Sequence, residues 1–402
     1  MMALRYVDFN RASGHYGIFM KIYRTRLLSY GAAILLIAAF ISMSVPAEME
    51  DLSAEEFSRM IRDFSEEGGY FFSDNFTSSE DSYLTIVAKM QELGSTGGAY
   101  IGVGPEQNFT YIAKIRPRIA FIVDIRRQAM LQHLMYKAIF HLSPTRAHFL
   151  SNLLSRPMPE GKSPGADAPL DEILSFFENI SADDKSYTEN LASIRKTIQV
   201  DFKFPLSSED QASLEYVYRN FRTWGFNVGF DVSSRGGRGF RRFPNLRSLL
   251  AMRDLKGKQE SFLASREDYD FVRGMQGRNL VVPVVGDFSG KKALAAVGDY
   301  LRKRKLNVSV FYVSNVEIVL FDWGSFEQFS DFVANVRKLP TDERSLLLRS
   351  TFSYYGSAAR LPGYQLCNML QKVSVFLQDF DQGRYKSYPD LIRTHFIAPD
   401  RP

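Results

Sequence analysis

The sequence predicts an α/β protein in which helices cover both faces of a parallel sheet. Four short apolar runs, 99–103, 119–123, 280–285 and 308–313, have the composition of buried strands. A strand inside a parallel sheet is buried on both faces, so it carries continuous apolar residues rather than alternating ones. Segments with apolar residues at helical spacing separate these runs, and that order of elements builds a three-layer α/β fold.

The segment 99–127 carries the strongest functional signal. Its first strand ends in a turn containing Gly102 and Gly104, a short helix begins near residue 106, and the second strand ends on Asp124. The glycines let the backbone approach a ligand, and the helix start presents unpaired N–H groups. Asp124 lies 22 positions after Gly102, where such folds place the carboxylate that accepts a hydrogen bond from a ribose hydroxyl. This unit predicts a nucleotide-like ligand, although the same turn also occurs as plain architecture.

The ends of the predicted strands indicate where that ligand would lie. Ligands of open α/β sheets bind beyond the carboxyl ends of the strands. This rule brings together the first turn, Asp124 after the second strand, Asp287 after the third and the segment 314–317 after the fourth. The first turn and helix start contribute Gly102, Gly104, Glu106, Gln107 and Asn108 to the candidate site, and the last segment contributes Ser314, Asn315 and Glu317. Arg126 and Arg127 follow Asp124 and could bind an acidic substrate or pair with Glu106, with a solvated face as the alternative.

The 402 residues exceed the size of a typical domain, which predicts either one large α/β domain interrupted by an insertion or two domains. The predicted divisions are a leader over 1–47, the first part of the α/β domain over 48–155, a mostly helical insertion over 156–278 and the second part of the domain over 279–402.

Two further segments have less regular patterns. A loop over 232–243, rich in Gly and Arg, is predicted to be solvated, with a lid or an anion-binding loop as the alternative. Near the C terminus we expect a strand over 345–350 and a helix over 365–380, with the single cysteine, Cys367, buried on that helix.

The leader has the properties of an export signal. An uncharged apolar run of 17 residues, 27–43, follows Lys21, Arg24 and Arg26. This length fits a signal-peptide core, with small residues near 45–47 for cleavage and Met20 as the expected start; an uncleaved transmembrane anchor is the alternative. Both readings place the body outside the cytoplasm. We expect an exported protein, periplasmic or membrane-anchored facing outside, and a cytoplasmic one only if the leader is misread.

Charge and composition indicate which kinds of molecule the protein can be expected to bind. Of 50 basic and 45 acidic residues, five basic and one acidic lie in 1–47, which leaves a near-neutral body with 45 and 44. That balance gives no basis for binding nucleic acid. The lone cysteine and the spacing of His133 and His141 provide no metal-ligand pattern, and both histidines read as core or surface residues. We expect a small-molecule ligand, no nucleic acid, no metal, and membrane contact only through an uncleaved leader.

The strings GVGPEQNF, VDIRRQ, VGDFSG and SNVE together resemble the class I S-adenosylmethionine-dependent methyltransferases, which have a Rossmann-like fold. They also resemble an uncharacterised bacterial family over about 83–151 and 278–353. The resemblance implies S-adenosylmethionine as cofactor, with the first turn around its methionine part and ribose. It further implies that Asp124 accepts from the ribose hydroxyls, that Asp287 meets the adenine amino group and that Ser314 lies beside the cofactor. Near the reacting centre, Tyr312, Asn315 or Glu317 would orient a nucleophile.

Other classes of function remain open. Tyr100 stands where the methyltransferases carry an acid, and an exported body would lie away from the cytoplasm, where S-adenosylmethionine is made. Both observations favour a non-catalytic, Rossmann-like module of the cell envelope that binds a ligand or a partner protein. A nicotinamide-dependent oxidoreductase ranks third, because Gln107 replaces the last glycine of the GxGxxG motif.

Overall fold

The computed structural model describes residues 49–159, 161, 163–231 and 243–400. The leader over 1–47 therefore lies outside the described residues, as does the Gly- and Arg-rich loop except for Phe243. The chain divides into two units, Met1–Glu50 and Asp51–Pro402. The second unit contains the sheet and the helices described below.

Six strands of the described residues form one mixed, mostly parallel sheet. They are β1 Ala99–Gly102, β2 Ile119–Asp124, β3 Val281–Val285, β4 Val308–Ser314, β5 Leu346–Phe352 and β6 Leu366–Lys372. Their order across the sheet is β3-β2-β1-β4-β5-β6. All neighbours are parallel except β5 and β6, which are antiparallel. The predicted α/β class is confirmed, with one antiparallel edge strand added.

Fifteen α-helices of the described residues surround this sheet. In chain order they are α1 Ala54–Phe64, α2 Val87–Glu92, α3 Gln107–Ile115, α4 Arg127–Leu142, α5 Arg146–Leu154, α6 Leu170–Glu178, α7 Asp184–Lys196, α8 Ser208–Trp224, α9 Leu246–Ala251, α10 Arg266–Gly277, α11 Ala293–Lys303, α12 Val316–Ile318, α13 Phe326–Arg337, α14 Val373–Asp381 and α15 Tyr388–Arg393. Serine side chains cap several of them; Ser53 forms a capping box with Glu56 at the start of α1.

Helix α4 organises the part of the chain between β2 and β3. It packs against both of these strands and also against α8 and α10. Nearly all of its side chains are buried, because it is enclosed by the sheet on one side and by helices on the others. Every regular element described between β2 and β3 is helical, so this segment adds helices around α4 without adding a strand to the sheet.

Aromatic packing joins β2 to the helices α1 and α11. The Phe121 ring stacks on Phe64 of α1 and meets Tyr300 of α11 edge-on, with centroids 6.2 and 5.9 Å away. These contacts hold the strand end that carries Asp124 in place, because rings packed this closely leave little room for the strand to shift.

The helix predicted over 365–380 is wrong in its first half. Residues Leu366–Lys372 form β6, and the helix α14 begins only at Val373. Cys367 is buried as expected, but it lies on the strand. In the part of the chain that the structure describes, every helix falls short of the length and apolar character that a membrane span needs.

Candidate functional site

A cavity of about 300 Å³ opens at the carboxyl ends of β1, β2, β3 and β4. β1 lies between β2 and β4 in the sheet. The chain that leaves β1 leads to β2 on one side, and the chain that leaves β4 leads to β5 on the other side. A crevice forms between two connections that diverge in this way. The chain before α2 contributes Tyr70, Phe71 and the segment 77–79 to the wall, and Phe230 adds a further ring. The volume lies at the lower end of the range for small-molecule sites.

Gly102 is required by packing inside the protein. A Cβ at this position would lie 2.0 Å from Asn108 Oδ1 and 2.6 Å from Tyr100 Oη. Tyr100 Oη donates to Asn108 Oδ1 at 2.8 Å, and Asn108 Nδ2 donates to the carbonyls of the turn, residues 103–105, at 2.8–3.0 Å. Gly102 and Asn108 therefore shape the turn from behind, and neither lines the cavity.

Gly104 is the glycine of the turn that lines the cavity. Its φ of +78° is a conformation that side-chain-bearing residues rarely adopt, and no atom lies within 4 Å of the position a Cβ would take. The His133 Nε2 donates to the Gly104 carbonyl at 2.8 Å. Burial lowers the pKa of His133 to about 4, so the ring is neutral at physiological pH. His133 is thus a buried support for the turn.

Glu106 and Gln107 begin α3 and are both buried behind the turn. Glu106 Oε1 accepts from the Ser78 N–H at 3.3 Å, while its Oε2 has no hydrogen-bond partner among the residues that the structure describes. Burial raises the pKa of Glu106 to about 7. Gln107 Nε2 donates to Glu80 Oε2 at 3.0 Å and to Tyr312 Oη at 3.1 Å. Both side chains contact the protein around the cavity without lining it.

Asp124 lines the cavity at the end of β2 and pairs with Arg126. Arg126 Nε donates to Oδ1 at 3.0 Å and Nη2 to Oδ2 at 2.8 Å. The remaining guanidinium nitrogen, Nη1, binds the carbonyls of Ser73 and Asp74. The possible pairing with Glu106 is not formed by either arginine: Arg126 binds Asp124, and Arg127 binds Asp210 through two bonds of 2.6 and 2.8 Å.

Asp287 lines the cavity at the end of β3 and keeps one carboxylate oxygen open. Its Oδ1 accepts from the N–H and the hydroxyl of Ser289, both at 2.8 Å, whereas Oδ2 has no partner among the described residues. Glu66 holds this turn by accepting from the backbone N–H groups of Asp287, Lys292 and Ala293. The turn therefore presents Asp287 half-buried at the cavity wall.

The end of β4 places Tyr312, Ser314 and Asn315 at the cavity. Ser314 has a φ of +51°, and its hydroxyl donates to Glu80 Oε1 at 2.7 Å. Burial raises the pKa of Tyr312 well above its usual value. Asn315 Nδ2 has no partner among the described residues, which leaves it available to a ligand.

Glu317 lies away from the cavity. Its carboxylate accepts from Arg349 Nε at 2.7 Å and from Nη2 at 3.1 Å, and both side chains are fully buried. This geometry makes Glu317 the counter-ion of Arg349, whose place in the core of the sheet requires one.

The cavity gathers some of the residues predicted from sequence and leaves others outside its lining. Those in the lining are Gly104, Asp124, Asp287, Tyr312, Ser314 and Asn315; those outside are Gly102, Glu106, Gln107, Asn108 and Glu317. The sequence analysis missed Glu80, a buried carboxylate that binds both Tyr312 and Ser314. Glu80 lies in a polar loop without any recognisable motif, so no local pattern could have identified it.

The model of one protein family matches most of this chain. It is the family described as domain of unknown function (DUF7790), and the matched residues are 76–160 and 176–397. The chain belongs to this family. The matched ranges contain the six described strands and the cavity residues of β1 to β4. The gap between them, 161–175, covers the Pro- and Gly-rich stretch before α6 and the first six residues of that helix. A comparison with the curated proteins finds no match.

The DUF7790 cavity offers a ligand few polar groups and many apolar ones. Asp287 Oδ2 is an open acceptor and Asn315 Nδ2 an open donor, while Asp124 Oδ2 accepts a single hydrogen bond and can accept another. Among the described residues, no cluster of three or more His, Cys, Asp or Glu side chains is placed to hold a metal ion. The arrangement suits recognition of an organic molecule with hydroxyl or amino groups.

Proposed function

We propose that this protein binds an adenosyl ligand of the S-adenosylmethionine type in the cavity, as do the class I methyltransferases that its sequence strings resemble. The observation that carries the proposal is the position of the cavity, with a carboxylate at the end of β2 and another at the end of β3. The order β3-β2-β1-β4-β5 of parallel strands is that of Rossmann-like sheets, whose ligands lie where the order reverses.

Three groups give this proposal its chemistry. Asp124 Oδ2 would accept from a ribose hydroxyl in addition to Arg126, and Asp287 Oδ2 would accept from the adenine amino group. Phe288, which follows Asp287 and lines the cavity, offers an apolar surface for the base. Gly104 lets the backbone approach the ligand without a side chain between them.

A non-catalytic binding module is the second candidate, and the β4 end favours it. Two of the three residues expected to orient a nucleophile are occupied: Glu317 by Arg349, and the Tyr312 hydroxyl by Glu80 and Gln107. Asn315 alone keeps an open polar group, and an amide is no general base. The predicted export leader also supports this candidate, because an exported body would act in the cell envelope.

Calorimetric titration of the purified protein with S-adenosylmethionine and S-adenosylhomocysteine tests the adenosyl site. We expect binding that Asp287→Asn weakens by about tenfold, because the amide offers a donor where the adenine amino group needs an acceptor. Asp254→Asn is the matched control: Asp254 also accepts from a backbone N–H two residues on, at 2.9 Å, but it lies outside the cavity lining. Absence of binding to both compounds, or equal weakening by the control, contradicts the proposal.

A further inference from the structure

Glu80 is a buried carboxylate directly behind one wall of the cavity. It is 1% exposed. Its Oε1 accepts from the hydroxyls of Tyr312 and Ser314, two residues that line the cavity. Its Oε2 accepts from Gln107 Nε2 at 3.0 Å and from Asn368 Nδ2 at 2.8 Å. Four uncharged donors therefore surround this carboxylate.

The hydrogen-bond donors around Glu80 are arranged to stabilise a carboxylate. Each amide turns its oxygen toward a serine: Gln107 Oε1 accepts from the Ser78 hydroxyl, and Asn368 Oδ1 accepts from the Ser82 hydroxyl. In this arrangement both amide N–H groups point at Glu80. With two donors at each oxygen, all four lone-pair positions of the carboxylate have a partner.

The negative charge of Glu80 has no cationic partner in the described part of the chain. Of the residues described in the cavity lining, Arg126 is the one Lys or Arg, and Asp124 together with two backbone carbonyls occupies its guanidinium. Asp287 adds a second carboxylate that forms no ion pair with a described residue. The described wall of the cavity is thus negative, and a negative wall in a low-dielectric crevice attracts cations and repels anions.

Aromatic rings complete the same wall. Tyr70, Phe71, Phe230, Phe288 and Tyr312 all line the cavity. The faces of aromatic rings attract organic cations, and methylated ammonium and sulfonium groups are the cations that suit an apolar, ring-lined space. A small inorganic cation is held by several oxygen ligands around one point, and among the described residues no cluster of three or more His, Cys, Asp or Glu side chains is placed to do so. The ring lining therefore favours an organic cation.

We propose that the cavity takes a ligand with a permanent positive charge, an organic ammonium or sulfonium ion whose charged centre lies beside Tyr312 and Ser314. This inference rests on the cavity being the ligand site, as proposed above, but it does not require the adenosyl group. It adds a rule of selectivity: of two ligands of similar shape, the charged one binds more tightly than the neutral one.

The test compares charged ligands with neutral ligands of the same or similar shape. Choline is titrated against its carbon isostere, in which a tert-butyl group replaces the trimethylammonium group. S-adenosylmethionine is titrated against S-adenosylhomocysteine, which lacks the methyl group and the positive charge of the sulfonium. We expect the charged member of each pair to bind the wild-type protein at least about tenfold more tightly. In Glu80→Gln this ratio should fall several-fold, while Asp254→Asn keeps it.

The ratio of the two affinities, charged over neutral, tests the inference. A variant that is merely destabilised should bind both members of a pair more weakly and leave this ratio unchanged. Should Glu80→Gln fail to fold, Asp287→Asn removes the other charge from a half-buried position and should lower the same ratio. Equal binding of charged and neutral members overturns the charge inference and leaves the adenosyl site standing. Selective binding of choline, with neither adenosyl compound bound, overturns the adenosyl proposal and supports the charge inference. Binding of none of the four compounds overturns both.

Discussion

Gly102 and Gly104 stand two residues apart in one turn, yet different forces require a glycine at each. At Gly102 a Cβ would collide with Asn108 Oδ1 and Tyr100 Oη at 2.0 and 2.6 Å. At Gly104 the space is open, and only the φ of +78° disfavours a side chain. A GxG pattern in a sequence does not distinguish a glycine that serves packing from one that faces a ligand.

Alanine at each position should separate the two roles. We expect Gly102→Ala to cost about 1–3 kcal/mol of unfolding free energy through overpacking, and Gly104→Ala to cost about 1–2 kcal/mol through backbone strain. Of the two variants, only Gly104→Ala should also weaken ligand binding in the folded protein, since Gly104 lines the cavity and Gly102 does not. Urea unfolding and calorimetric titration of both variants measure this. A Gly102→Ala protein with wild-type stability would show that the turn relaxes easily.

Residue by residue, the sequence predicted the ends of strands better than it predicted their surroundings. Asp124, Asp287 and Ser314 line the cavity, and the sequence indicates all three because a strand end is a local property. Glu80 could not be found, because its importance comes from four partners on three distant segments. The spacing of residues along the chain does not predict contacts between segments that are distant in sequence.

At the level of elements, the Glu317–Arg349 pair joins α12 to β5. Arg349 also donates to Gln371 Oε1 of β6 at 2.8 Å, so one guanidinium connects three elements in the core. If Glu317 acted in catalysis, its removal would leave the fold intact. As a buried counter-ion, its removal should leave an uncompensated charge in the sheet.

Unfolding measurements on a double-mutant cycle distinguish these roles. We expect Glu317→Leu alone to cost about 3–5 kcal/mol, and the double variant with Arg349→Met to recover most of that loss, because two apolar side chains can replace a buried ion pair. Circular dichroism during urea unfolding gives each free energy. Single and double variants of equal stability, with Glu317→Leu near wild type, would return Glu317 to the list of functional candidates.

The strand β6 shows why one element was mistaken for a helix. Its polar residues Asn368 and Gln371 are three apart, a spacing compatible with the solvent-facing side of a helix. Both are buried instead, because Asn368 binds Glu80 and Gln371 binds Arg349. These polar side chains can be buried in a strand because they form hydrogen bonds with buried charged residues on other strands and loops. Such tertiary contacts override the helical spacing of the local sequence. Strands β1 to β4 consist mainly of apolar residues, so their prediction did not depend on such partners.

At the level of the whole molecule, three buried groups make stability depend on pH: Glu106 at the N-cap of α3, and His133 and Lys137 on α4. Burial raises the pKa of Glu106 to about 7 and lowers the pKa of Lys137 to about 7. It also lowers the pKa of His133 to about 4. Lys137 lies between the rings of Phe57 and Phe202, 4.6 Å from each centroid. The folded protein favours the neutral form of each group. Each group therefore has a pH range in which the folded and unfolded chains bind different numbers of protons.

The three groups do not all change the free energy of unfolding in the same direction as pH rises. Between pH 4.5 and about 7 the folded chain keeps the Glu106 proton that the unfolded chain has lost, so this group makes stability fall as pH rises. His133 acts in the opposite direction between about pH 4 and 6.5, because the unfolded chain binds the proton there. Lys137 likewise makes stability rise with pH between about 7 and 10.5.

Two substitutions separate these contributions in urea-unfolding series across the pH range. The difference in unfolding free energy between Glu106→Gln and wild type should grow by on the order of 3 kcal/mol from pH 4.5 to 7 in favour of the variant, because the amide stays neutral. Lys137→Met should leave that acidic window unchanged and remove the rise above pH 7. A pH-independent difference for Glu106→Gln would mean that Glu106 is already ionised in the folded protein, and the helix start of α3 would then have to hold a buried charge beside the ligand cavity.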